Sequence, residues 1–201
     1  MNQSDLVSEN QWRSEVTQII SNFMKQRLGK RGYQWSAPSS PPATGSDHLL
    51  LIQAMNLIAD TMLSENETTI RDMSARAVRQ NILDYGSFKV IADEMFTEGF
   101  QWSHIVMLLL FGSELAFELG VAGDARQNNE SFVNQVNEWL IRYFSSSGSL
   151  KEWILSHGRW NGLVAYAGLT NRRMSGNLML LAIGSVATVT LATVIHYFVK
   201  A

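Results

Sequence analysis

The chain has 201 residues, of which 46% are hydrophobic and 17% charged, and a formal net charge of −2. That length suits one domain with a real core, and the balance of charge gives no electrostatic case for binding nucleic acid. The lack of cysteine excludes disulfides, thiolate metal sites and a cysteine nucleophile. Met1 to Leu6 has neither a basic start nor an apolar run, so no secretory signal is expected.

From Trp12 to Leu28, apolar residues at Val16, Ile19, Ile20, Phe23, Met24 and Leu28 make a helical stripe, which Gly29 and Gly32 should end. All three prolines fall between Ser36 and Asp47, which reads as a loop. A helical pattern resumes near Leu49 and runs to about Leu63. Thr68 to Leu83 carries only a weak stripe (Ile70, Met73, Ala77, Ile82), so a separate, short and poorly anchored helix is expected. Phe88 to Phe96 reads as a further helix, ended at Gly99.

Ile105 to Leu119 is the most apolar stretch before residue 170 and should be the central buried element. Gly112 within it would cost about 1 kcal/mol against alanine, a cost that makes sense if another helix approaches closely there. Val121 to Asn129 reads as a polar loop. Phe132, Val133, Val136, Trp139, Leu140 and Tyr143 form an amphipathic stripe. After a Ser/Gly turn over 145–149, Ser149 and Glu152 have the spacing of a capping box. Alternating strand patterns and internal repeats are absent, so the fold class is all-α.

Leu178 to Phe198 is a run of 21 residues without Asp, Glu, Lys or Arg. As a helix it would span roughly 31 Å, about the thickness of a bilayer's hydrocarbon core. Arg172 and Arg173 precede it, consistent with a tail anchor whose body lies on the cytosolic side. The expected layout is a helical domain over 1–170, with a 36–47 loop between its first two helices, a linker over 171–177 and a transmembrane tail over 178–198.

Two tryptophan-centred blocks carry the functional signal. The first is Glu94-Met-Phe-Thr-Glu-Gly-Phe-Gln-Trp-Ser-His-Ile-Val106, followed by Phe111-Gly-Ser-Glu114. The second is Glu152-Trp-Ile-Leu-Ser-His-Gly-Arg-Trp-Asn-Gly-Leu-Val-Ala-Tyr-Ala-Gly168. In order and spacing they resemble homology regions one and two of the Bcl-2 family of apoptosis regulators. Lys25 to Trp35, above all Arg31-Gly-Tyr-Gln-Trp35, is similar to homology region four of prosurvival members. Leu51, Met55, Ile58 and Met62, with the pair Ala59-Asp60, fit homology region three; their spacing puts all four apolar residues on one helical face.

The resemblance implies a helical bundle around a central apolar helix, and a hydrophobic groove that binds a helix rather than a substrate. Carried over by position, the groove would include Ile91, Met95, Phe96, Gln101 at the rim, Trp102, His104, Val106, Met107, Phe111, Gly112 and Leu163, with Met95 and Phe111 partly exposed. The family usually has Asn-Trp-Gly-Arg, whose arginine pairs with an aspartate of the incoming helix. Here the stretch is Gln101-Trp-Ser-His104, and histidine offers a charged donor only when protonated. Either it meets the ligand or it merely caps the central helix.

The partners implied are amphipathic helices of pro-apoptotic relatives and a membrane, with homo- and heterodimers left open. Arg31 to Trp35 favours a prosurvival role. Ile91 to Phe96 and Trp160 to Tyr166 look somewhat more like Bax/Bak-type effectors, which permeabilise the outer mitochondrial membrane. The expected location is that membrane's cytosolic face, with the endoplasmic reticulum and cytosol as alternatives. Catalysis is not expected: His48, His104, His157 and His196 stand singly, without zinc spacing, a phosphate-binding glycine loop or a nucleophile elbow, and the resemblance implies neither cofactor nor metal. Each histidine is expected to be exposed or to cap a helix.

Overall fold

The stripe from Trp12 to Leu28 sits within α1, Gln3–Lys30. In the computed structural model, residues 3–38, 46–79, 84–121 and 130–169 are described. The glycines end α1 as expected. Gly32 takes a left-handed φ of +79°, while the Tyr33 amide donates to the Leu28 carbonyl at 2.9 Å and Gly32 to Gly29 at 3.0 Å. This is the paired-bond ending that a left-handed glycine makes possible.

α2 covers Ser46–Arg79 as two helical segments joined across a kink at Asn66, where φ is −137° and ψ 24°. The separate helix expected from about Thr68 is therefore present beyond the kink, and only its expected poor anchoring is corrected. No glycine or proline separates Leu63 from Thr68, and the non-helical backbone of Asn66 alone marks the break. Its second half is anchored, because Ile70, Met73 and Ala77 are all buried. The remainder of that expected helix, 80–83, lies outside the described residues, as does most of the 36–47 loop and of the 121–129 loop.

α3, Tyr85–Met95, begins at Asp84, whose side chain accepts from the Ser87 amide, a cap that satisfies an otherwise free donor. α4 spans Trp102–Val121, and its residues from Trp102 to Ala116 are buried without a break. Helices α1, α2, α3 and α5 all pack on it, so the expected central element is central. Among the described residues it is the one helix long and apolar enough to cross a membrane; its burial in the bundle accounts for that composition. Gly112 explains itself too: a Cβ there would lie 2.8 Å from Leu140 Cδ1 on α5, so the missing side chain lets the two helices close.

α5 spans Glu130–Ser146, α6 Gly148–Ser156 and α7 Arg159–Tyr166. The capping box at Ser149 does not form. α6 starts two residues earlier, with Ser147 as its cap residue and no side-chain cap bond, which places Ser149 inside the helix. The described residues contain seven helices and no strand. The fold is an all-helical bundle around one apolar helix. The tail over 178–198 and the 171–177 linker lie outside the described residues.

Candidate helix-binding site

Ile91 and Met95 come from α3, Phe96 from its end, Val106, Met107 and Phe111 from α4, and Leu163 from α7. All belong to one apolar cluster. The expected partial exposure of Met95 and Phe111 is not found: Phe111 is fully buried and Met95 nearly so, as are Ile91, Val106, Met107 and Leu163. A stretch of side chains that could floor a groove is thus interior, because α2 and α3 both close against α4. Gln101, expected at the rim, is exposed.

Trp102 opens α4, and its ring lies 4.9 Å from Trp153 and 6.4 Å from Trp160. Trp12 stacks on Trp160 at 6.0 Å with planes 9° apart and donates its indole N–H to the Phe144 carbonyl at 3.2 Å. Both tryptophan blocks therefore meet in one aromatic knot that also holds the first helix. Trp12 and Trp153 are members that spacing alone did not single out. Such rings bury large areas and contribute about 0.5–1.5 kcal/mol per pair beyond that burial. Gly162 lets the knot close, since a Cβ there would lie 1.9 Å from the His157 carbonyl oxygen and 2.8 Å from the Trp102 ring.

His104 is only 3% exposed. Its Nδ1 lies 3.0 Å from the Gly99 carbonyl oxygen and its ring faces Phe96 at 6.4 Å. In this state it is turned inward and fastens the turn before α4, which is the capping alternative. His157 also caps, with Nδ1 2.8 Å from the Trp153 carbonyl. His48 pairs with the Asn22 amide at 3.3 Å, and burial holds its pKa below the ordinary value.

The third-region residues Leu51, Met55, Ile58, Ala59 and Met62 all point into the core. Asp60 faces α1 instead. One carboxylate oxygen meets Arg27 at 2.5 Å and the other Lys30 at 2.6 Å, while Asn56 donates to Gln26 at 2.9 Å. Burial alone would raise the Asp60 pKa; hydrogen bonds from Lys30 and Arg27 outweigh it and hold the carboxyl below its usual range.

Two further contacts were not foreseen. Tyr143 on α5 donates to Asp93 on α3 at 3.0 Å, and burial followed by the Asp93 charge pushes the phenol well above its ordinary pKa. Glu114, 2% exposed on α4, pairs with Arg31 from the end of α1 and lies 3.9 Å from Nε of Arg71 on α2. Arg31 also reaches Glu118 at 3.7 Å and stacks over Phe117 at 3.6 Å. A glutamate placed within the apolar run of α4 was the one available signal, because a buried carboxylate needs partners.

Seven described helices, one of them apolar and buried at the centre, define the class of architecture; comparison with known proteins supplies the family. A family model described as "Apoptosis regulator proteins, Bcl-2 family" matches residues 55–160. The chain belongs to the Bcl-2 family of apoptosis regulators. It is 25% identical over 184 residues to Apoptosis regulator R1 of Xenopus laevis, covering 88% of this chain and 75% of that protein. It is 24% identical over 200 residues to Apoptosis regulator Bcl-2 of Gallus gallus, covering 77% and 81%. Among solved structures, Trichoplax adhaerens trBcl-2L2 bound to trBak BH3 superposes with a TM-score of 0.65 at 21% identity, over 77% of this chain and 98% of that one. Chicken BOK does so with 0.61 at 17% identity, over 78% and 97%.

Proposed function

We propose that this chain restrains apoptosis by binding amphipathic helices of pro-apoptotic relatives between α2 and α3, over the apolar face of α4. The observation that carries the prosurvival side is how Arg31 to Trp35, the stretch resembling prosurvival members, is built into the bundle. Arg31 is paired to Glu114, and Trp35 is buried with its N–H donated to Asn134 at 2.8 Å. A solved relative is bound to a helix of this type, the trBak BH3 segment. Recognition would lean on apolar contacts, as helix-in-groove binding generally does, because His104 offers no exposed cation.

Leu178 to Phe198 anchors the chain in a membrane on this reading, by its length and lack of charge, with the bundle on the cytosolic face of the outer mitochondrial membrane. Release of dye from liposomes by a Bax/Bak-type effector, with and without the purified full chain, tests the role. Suppressed release is expected. Release caused by the chain alone would make it an effector instead.

A further inference from the structure

The residues that would receive a partner helix are interior, so one wall must move before binding. α3 is capped by Asp84, tied to α5 through Tyr143 and Asp93 and packed ring to ring through Phe88 and Trp139 at 5.8 Å. The arm of α2 beyond Asn66 is held differently. Its buried apolar side chains are Ile70, Met73 and Ala77, and its cation Arg71 leans on Glu114. Arg71 Nε is buried and has no hydrogen bond among the described residues, yet it sits 3.9 Å from the Glu114 carboxylate. Its Nη1 meets Glu67, on the arm itself, at 2.6 Å.

We propose that Glu114 is a positioning residue that gates the groove: its charge holds the 67–79 arm of α2 against α4, and the arm swings about Asn66 when that hold is lost. This rests on the groove reading above. The geometry suits a gate, because a kink already breaks the helix where the hinge is needed. The pairing is also lopsided. Arg31 engages Glu114 directly, while Arg71 stands farther off with a side chain 40% exposed. The arm can therefore let go and hydrate its cation while the α1–α4 contact stays closed. Replacing the carboxylate with an amide of the same shape removes the charge and keeps the packing, and the two arginines it leaves behind are partly exposed to water.

The test compares the full chain with Glu114→Gln by amide hydrogen exchange, and by association kinetics of a synthetic Bak-type third-region peptide. Exchange over 67–79 should quicken roughly two- to fivefold, the range of partly exposed ion pairs and local openings. Amides of 85–95 should be unchanged, and peptide association should accelerate by a similar factor. Arg71→Gln, altered from the exposed side, should reproduce this even if Glu114→Gln folds poorly. The double variant should add little, as expected of one shared interaction. Unchanged arm protection, or an equal rise in α3, overturns the gate. A loosened arm with no peptide bound by either protein overturns the groove reading, and the gate's function with it.

Discussion

The two helical walls that flank α4 are held by different physics. α3 is short, but it has a side-chain cap, a buried ring against Trp139, a phenol–carboxylate bond to α5 and Phe96 stacked on Tyr143 at 6.2 Å. The α2 arm is of similar length, begins at a kink, and combines a few smaller apolar side chains with a charge pair that is half open to water. Shape-matched aromatic packing falls off steeply with displacement, so it fixes a wall. An ion pair near the surface is weaker, screened by salt and exchangeable for water. One wall is therefore a fixed reference and the other is the adjustable one.

The largest expected effect comes from breaking the fixed wall. Phe88 is fully buried, and Phe88→Ala should cost about 3–5 kcal/mol of global stability, visible as a fall in the denaturant midpoint. On the adjustable wall, Met73→Ala should cost about 2 kcal/mol, the low end for such truncations, because a hinged arm can collapse onto the cavity. A cost equal to that of Phe88→Ala would erase the contrast between the walls.

A smaller change isolates the hydrogen bond. Tyr143→Phe keeps the ring stack and removes the donor to Asp93, so about 1 kcal/mol should be lost, with exchange rising over 85–95 and not over 67–79. Smallest at neutral pH is the contribution of Asp60, half exposed beside Arg27 and Lys30. Its folded pKa lies below the ordinary one. That contribution is therefore present above the unfolded carboxylate value of about 3.9 and is lost as pH falls through the folded value. Asp60→Asn should be less stable than the unmutated chain near pH 7, and the two denaturation midpoints should converge as pH falls below the unfolded carboxylate value. A constant gap across that range would assign the loss to packing.

Much of the fold was legible because its signals are local. The apolar run over 105–119, the glycines after Leu28 and the missing Cβ at Gly112 each mean the same thing in sequence and in space. The break in α2 ahead of Thr68 was legible, but the anchoring of its second half was not, because Ile70, Met73 and Ala77 make only a weak stripe in sequence and yet are buried. That the two tryptophan blocks belong together was legible from their order and spacing, and they meet through Trp102 and Trp160. Exposure was not legible. Whether Phe111 faces a groove or a closed interior depends on how two distant helices settle on α4. The same limit hid Glu114, whose arginine partners lie 83 and 43 residues away in the chain.

The most direct test of the account is to add a Bak-type third-region peptide to the full chain and map amide protection in the complex. Saturable binding with new protection over 85–111 and along the 67–79 arm is the result expected of a helix seated between those walls. No binding, or protection confined to α1, α5 and α6, would contradict it.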